Sequence, residues 1–395
     1  MSLNYKSGDV LESEIQKIVP RGLGLAFAEG LTVFVPLSVP GDRVSIRLDQ
    51  IKGKTAFGHI ESVIGPSANR SEPACKYFGI CGGCDFQQMN YEAQLAAKTG
   101  IIKDSLHRIG KIDLENEIAI IPSPKPLEYR TRAQWHLDTR NKKIGYFKRG
   151  THEVIDVDHC PILDNVLDET LVELRSDLDW GAFWPEEAVI DAAVGSDENI
   201  SLSSAELLDE PAEIMIDAFG EKYFFNAQSF FQGNSSLIDK LVDAAIGESE
   251  GGHALDLYCG VGLFSLPLAR RFAHVTGVEG NEASVKFAER NARNAELDNL
   301  KFFNDGVAEF LSAREIGETD LVLLDPPRSG TEKSVIEAII KLRPINISYV
   351  SCDPAILARD LRIFLDGGYR IEMITALDLF PQTHHVETVV RLNRS

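Results

Sequence analysis

The chain of 395 residues opens without a basic segment followed by an apolar one, and no apolar run reaches membrane-spanning length. It has no internal repeat and no low-complexity tract. These absences set the expectation of a cytoplasmic protein without membrane contact, long enough for two or three domains with real cores. Cysteine is scarce, with six in all. Disulfides are rare in the cytosol, so these thiols are expected to be ligands, nucleophiles or packing residues. Basic residues are outnumbered, 40 Lys+Arg against 60 Asp+Glu, and the formal net charge of −20 argues at first against a polyanionic partner. The deficit is local, however. Residues 151–221 hold 20 acidic residues and one basic residue, Arg175, a net of −19. Residues 95–150 hold 12 Lys+Arg and six Asp+Glu, a net of +6. Local patches rather than total charge decide contact with nucleic acid.

Residues 1–65 read as all-β, with short runs at 31–35, 43–48 and 57–63 separated by Gly22, Gly24, Gly30, Gly41, Gly53 and Gly65. The stretch G-L-G-L-A…V-F-V-P-L-S-V-P-G-D-R-V resembles a TRAM domain, an OB-like RNA-binding barrel. A purely structural barrel is the plain alternative. Pro66, Ser67 and Pro73 mark a linker. Cys75-x5-Cys81-x2-Cys84 follows, with Gly79, Gly82 and Gly83 between the thiols, and a fourth cysteine, Cys160, stands in D-H-C-P-I-L. Four thiolates suit zinc or an iron–sulfur cluster, and spacing leaves both open. A helix is expected over 91–109. Residues 129–149 read as a basic hairpin with interleaved aromatics, in which Arg and Lys meet phosphates and rings stack on bases. The acidic stretch 151–221 is expected to alternate short strands with charged turns, as a solvated face turned away from RNA.

The second half alternates strands and helices. Residues 223–234 are apolar with two glutamines, and a helix follows over 235–246. The strand 253–258 runs into Cys259-Gly260-Val261-Gly262-Leu263-Phe264-Ser265. Ser265 replaces the third glycine of the dinucleotide fingerprint, which disfavours NAD. A second strand ends in Glu279, where a carboxylate can bind ribose hydroxyls, and Asp305 follows a third. Asp-x-x-x-Gly-x-Gly with an acidic strand end is the pattern of an S-adenosylmethionine site. A fourth strand ends in Asp325-Pro326-Pro327-Arg328-Ser329-Gly330, a sequence that often marks methyl transfer to nucleobases, with Arg328 placed to touch RNA phosphate. A fifth ends at Ser351-Cys352-Asp353-Pro354 before a helical pattern, with Pro354 suited to the first turn. A thiol ahead of a helix N-terminus can have its thiolate favoured by the dipole. A small buried cysteine that merely packs is the alternative. Near the C-terminus Glu387 sits among β-branched residues, where partial desolvation raises a carboxyl pKa and suits a general base.

Together, F-F-Q-G-N, D-L-Y-C-G-V-G, L-D-P-P-R-S-G, S-Y-V-S-C-D-P-A-I-L-A-R-D-L and H-H-V-E-T-V-V-R-L closely resemble the RNA (uracil-5-)-methyltransferases, from about residue 225 to the end. The cysteine spacing resembles their iron–sulfur branch acting on 23S rRNA. The resemblance implies a multidomain α/β protein: an N-terminal OB-like TRAM β-barrel (1–65), a central α+β domain with an iron–sulfur cluster (66–222) and a C-terminal Rossmann-like class I methyltransferase domain (223–395). It implies Cys352 as nucleophile and Glu387 as base. Gln232, Tyr258, Glu279, Asp305 and Asp325 match positions around the cofactor and target base. Cys75, Cys81, Cys84 and Cys160 match ligands of a 4Fe-4S cluster, with zinc as the alternative. Some members carry Asn in the glycine loop where this chain has Leu263, which removes one polar contact to the cofactor. The implied partner is RNA, 23S rRNA before tRNA, and no protein partner is evident. The rivals are an amino-group methyltransferase using Asp325-Pro326-Pro327 and an RNA-binding assembly factor without catalysis.

Overall fold

The computed structural model describes residues 5–181, 183, 187–205 and 210–394. Strands β1 (Val10–Val19), β2 (Leu23–Ala28), β3 (Leu31–Val35), β4 (Arg43–Lys52) and β5 (Thr55–Gly65) close into a barrel in the order β1-β2-β3-β5-β4. Period-two side chains fill it: Val33 and Val35 from β3, and Val44, Ile46 and Leu48 from β4, all point inward and are buried. Each such side chain stabilises the fold by roughly 1.5–3 kcal/mol. The barrel docks on the rest of the chain where Ile18 and Val39 meet Phe86, Met89 and Ile101.

Helix α1 (Tyr91–Ser105) starts at Asn90, whose side chain accepts from the Ala93 N–H. Strand β6 (Ala119–Ile121) follows. A second sheet then forms from β7 (Arg132–Asp138), β8 (Lys143–Phe147), β9 (Val154–Asp156), β10 (Glu187–Val194) and β11 (Ile200–Ser203), in the order β11-β10-β7-β8-β9. Helix α2 (Asn165–Asp177) packs on it through Leu167 and Leu171. This helix lies inside the acidic stretch for which only strands and turns are expected. Leu167, Leu171 and Leu174 recur at helical spacing behind the Asp164 cap, while Glu169, Glu173 and Asp177 are exposed. Residues 182, 184–186 and 206–209 of that stretch lie outside the described residues.

Strands β12 (Ile214–Ala218) and β13 (Glu221–Phe225) form a hairpin whose Ile214, Ile216, Tyr223 and Phe225 enter the same core as the helix that follows, α3 (Ile238–Ile246). The remaining elements alternate: β14 (Gly251–Leu257), α4 (Ser265–Ala269), β15 (Phe272–Glu279), α5 (Glu282–Asn294), β16 (Leu300–Asn304), α6 (Val307–Ala313), β17 (Leu321–Leu324), α7 (Lys333–Leu342), β18 (Asn346–Ser351), α8 (Pro354–Asp366), β19 (Tyr369–Leu377) and β20 (Glu387–Arg394). They build an eight-stranded sheet in the order β16-β15-β14-β17-β18-β20-β19-β6. Strands β14 to β18 are mutually parallel, and β20 runs antiparallel to both neighbours. Both faces are covered, so β17 is buried throughout, Leu321 and Leu323 facing one core and Val322 and Leu324 the other.

Two segments sit in this sheet's territory although local composition groups them with residues 66–222. Strand β6 pairs with β19, and Ile102 and Leu106 at the end of α1 join the core around α8. The β12–β13 hairpin likewise lies on both sides of position 222. Periodicity reports that a residue is buried but not which core buries it. No helix among the described residues is long and apolar enough to cross a membrane.

Candidate active site and cysteine pocket

Because β14 to β18 are parallel, the residues at their carboxyl ends gather along one edge of the sheet. At the end of β14 the chain turns through Tyr258 (φ +63°), Gly260 (φ +55°) and Gly262 (φ +95°) into α4. A Cβ on Gly262 would lie 2.9 Å from Leu266 Cδ1, and the backbone conformation suits glycine alone. Glu279, ending β15, accepts from the Gly260 N–H (3.1 Å) and the Asn281 N–H (2.7 Å). One carboxylate therefore ties the glycine loop to the start of α5. Asp305, after β16, pairs with Arg314 at 2.7 Å. The Tyr258 hydroxyl lies 2.7 Å from Thr331 Oγ1, which joins the glycine loop to the segment after Pro327. The Leu263 side chain is buried, and its carbonyl accepts from the Tyr223 hydroxyl at 3.0 Å.

At the end of β17, the strand next to β14, Asp325 is half-buried and accepts from the Gln232 side chain at 3.4 Å. Burial pushes its carboxyl up to about 7. Cys352 follows β18. Ser351 faces Thr388 across the β18–β20 ladder, so the next pair outward is Cys352 and Glu387. The antiparallel direction of β20 is what brings its first residue to the edge where the parallel strands end. Glu387 is 3% exposed, and its Oε1 has no hydrogen-bond partner. Burial first, and then the Asp325 charge, push its carboxyl well up, while the Arg328 guanidinium opposes the shift. Cys352, Glu387, Asp325, Gln232 and Arg328 thus form one group. Tyr258, Glu279 and Asp305 form a second, along the ends of β14 to β16.

The free thiol departs from one expectation. Burial, followed by the charge of Glu387, pushes Cys352 up to about 12, with Arg328 the opposing influence. The helix terminus does not offset this, because Asp353 caps it: its carboxylate accepts from the Ala355 and Ile356 N–H groups.

The other four sequence-predicted cysteines meet elsewhere. Cys75, Cys81, Cys84 and Cys160 line one pocket with Gln87, Arg130 and Tyr146, and all four are free thiols. The loop is held by the Gln87 side chain, which accepts from the Cys75 N–H at 3.0 Å, and by Asp168, which accepts from the Cys160 N–H at 2.6 Å. Among the described residues, no three His, Cys, Asp or Glu side chains are grouped closely enough to hold a metal ion.

The basic hairpin is only partly available to RNA. Arg130 lines the cysteine pocket and donates to the Arg132 carbonyl, and Arg132 donates to the Ala227 carbonyl and lies 5.9 Å from the Phe225 ring centre. Both guanidiniums are thus engaged within the protein, by backbone carbonyls and the Phe225 ring. Arg140, Lys142, Lys143 and Lys148 stay at the surface.

A further group beside the site is not announced by any motif in the sequence. Lys98 and Asp378 form a fully buried ion pair, and Gln94 binds Gln382. The available signal was a lysine inside an apolar helical run, Q-L-A-A-K-T-G-I-I.

The chain is similar over nearly its whole length to known RNA methyltransferases. Residues 197–395 match the family profile described as tRNA (Uracil-5-)-methyltransferase. An uncharacterized RNA methyltransferase of Thermosynechococcus vestitus is 31% identical, covering 99% of both chains. The 23S rRNA (uracil(1939)-C(5))-methyltransferase RlmD of Shewanella sediminis is 31% identical over 95% of this chain and 94% of its own. The crystal structure of Pyrococcus abyssi tRNA (uracil-54, C5)-methyltransferase in complex with S-adenosyl-L-homocysteine superposes with a TM-score of 0.75 at 26% identity, covering 97% of this chain and 100% of that one.

Proposed function

The chain belongs to the RNA (uracil-5-)-methyltransferase family and is an S-adenosylmethionine-dependent RNA methyltransferase, and we propose that it methylates C5 of a uridine in 23S rRNA through a covalent bond from Cys352 to C6. The observation that carries the mechanism is the β18–β20 register, whose last pair is Ser351 and Thr388, so that Cys352 and the buried Glu387 lie just beyond it, close to Asp325.

C5 of uracil is a poor nucleophile. The Cys352 thiolate adds to C6, and the C5=C6 electron pair moves to give an enolate, so that C5 becomes nucleophilic. Bound S-adenosylmethionine supplies the methyl group as an electrophilic carbon and departs as the neutral thioether. Glu387 then takes the C5 proton, the C5=C6 bond re-forms, and Cys352 leaves with the electron pair of the S–C6 bond. Arg328 favours the thiolate and the carboxylate alike. Gln232 and Asp325 hold the face of the target base, which must leave its stack to reach Cys352. Tyr258, Glu279 and Asp305 bind the cofactor, without the polar contact that Asn supplies in relatives at the position of Leu263.

The barrel of residues 1–65 acts in this reading as a TRAM-type RNA-binding domain. Cys75, Cys81, Cys84 and Cys160 would hold a 4Fe-4S cluster, which would clasp the 75–84 loop to residue 160 without taking part in methyl transfer. The four thiols line one pocket with Arg130, but they are not drawn together as ligands of one ion, so the assignment rests on the chemistry of the donor set. Protein containing zinc but neither iron nor acid-labile sulfide would overturn this assignment.

Substrate choice is tested with labelled S-adenosylmethionine and unmodified 23S rRNA and tRNA in parallel, followed by nucleoside mass spectrometry. 5-Methyluridine in rRNA is the expected result. The same nucleoside in tRNA alone would keep the chemistry and overturn the substrate, a reading favoured by the end-to-end likeness to the Pyrococcus abyssi tRNA enzyme. No label in either RNA would overturn the reading altogether.

A further inference from the structure

Residues 378–386 connect β19 to β20, and the connection begins and ends at the proposed base. Leu377 is the cross-strand partner of Glu387, so Asp378 and Val386 flank that pair. Nothing bonds to Glu387 Oε1. The backbone it hangs from therefore decides where the carboxylate sits.

That backbone is held from the N-terminal half of the chain. Lys98 is fully buried on α1 and donates to the Asp378 carboxylate and, at 2.9 Å, to the Phe380 carbonyl. One turn earlier, at the i,i+4 spacing that shares a helix face, Gln94 donates to Gln382 Oε1 at 2.9 Å and accepts from the Gln382 N–H at 3.0 Å. Gln382 has φ +68°, a conformation unfavourable for a non-glycine residue, so these bonds hold a shape the loop would not keep alone. The Tyr129 hydroxyl donates to the Pro381 carbonyl at 3.0 Å. Cys352 is carried by β18 and α8; none of these side-chain bonds reaches either element, and α1 meets α8 further along, through Ile102 and Leu106.

We propose that Lys98 and Gln94 are positioning residues that set the Glu387 carboxylate at C5 of the methylated adduct. The inference rests on the covalent mechanism proposed above. It separates the steps of the reaction by element. Addition and methyl transfer use Cys352, whereas only the later proton removal uses Glu387. Loosening the 378–386 loop therefore stalls the enzyme after methyl transfer, with Cys352 still bonded to C6.

The test compares wild type, Gln94→Leu, the double variant Lys98→Met/Asp378→Leu and Glu387→Gln on one RNA. The double variant removes both buried charges together and leaves neither unpaired. The expected result for Gln94→Leu and the double variant is a kcat on the order of 10- to 100-fold lower. The KM for S-adenosylmethionine is expected within about twofold of wild type, with an RNA–protein adduct that survives SDS at least about tenfold more abundant. Wild-type turnover, or slow turnover without adduct, would overturn the positioning role. Loss of the folded state in both variants would also overturn it, by assigning these contacts to stability. If Glu387→Gln accumulates adduct and the α1 variants do not, only this inference fails. If Glu387→Gln yields none, the covalent mechanism fails first.

Discussion

Asp353 takes the helix terminus that Cys352 faces. Its carboxylate accepts the Ala355 and Ile356 N–H groups at 2.8 and 3.1 Å, and the neighbouring thiol, desolvated and beside Glu387, is pushed up to about 12. In the RNA-free protein the proposed nucleophile is therefore a protonated thiol at neutral pH. Iodoacetamide is expected to alkylate Cys352 on the order of a thousandfold more slowly than free cysteine at pH 7. The rate should rise about tenfold per pH unit up to pH 9. Peptide mapping by mass spectrometry reads both quantities, and labelling at the free-thiol rate would contradict the assignment.

Arg328 is the cation whose charge lowers the pKa of both Cys352 and Glu387, the groups proposed to react. Arg328→Gln removes a charge that lowers the pKa of Cys352 and of Glu387, so both groups ionise at higher pH. The rising limb of the pH–rate profile is expected to move to higher pH by about one unit. At pH 7 kcat should fall on the order of tenfold. An unmoved profile would show that Arg328 touches neither group in the working complex.

Asp256 lies under the glycine loop, fully buried, with Ser265 donating to one oxygen and no partner for the other. Burial pushes its carboxyl from 3.8 up to about 7. The folded state thus holds this proton more tightly than the unfolded chain does. The associated stability is full below about pH 4 and is lost as pH rises through about 7. Three units correspond to about 4 kcal/mol at most. Asp256→Asn keeps the shape without the titration, so its Tm is expected to exceed that of wild type at pH 8 and to approach it at pH 5. Equal Tm differences at both pH values would count against a buried titrating carboxyl.

Gly22 joins the barrel to the segment that carries the proposed base. Its φ is +69°, and a Cβ there would lie 3.0 Å from His384 Cβ and 3.2 Å from Phe86 Cε1. Gly22→Ala is expected to cost about 1–2 kcal/mol from backbone conformation alone. Protease cleavage near residues 20–22 should speed up accordingly. A variant as resistant as wild type would mean that the barrel tolerates displacement from His384.

Much of the site is legible residue by residue because its chemistry is local. A buried strand, a turn and a helix cap place Cys352 in any open α/β sheet, and the same grammar places Glu279, Asp325 and the glycine loop. The thiols at 75, 81 and 84 lie close enough in sequence to announce a shared pocket. What only the tertiary structure decided were the long-range pairings. The antiparallel insertion of β20 between β18 and β19 sets Glu387 against Cys352. Bonds to the Arg132 and Ala227 carbonyls engage Arg130 and Arg132 within the protein, away from the RNA-facing role their hairpin pattern suggests. Lys98 meets Asp378 across 280 positions of sequence. Hydrophobic period and turn residues record how a segment is buried, whereas the partner that buries it is set by how whole elements pack, and no single stretch carries that information.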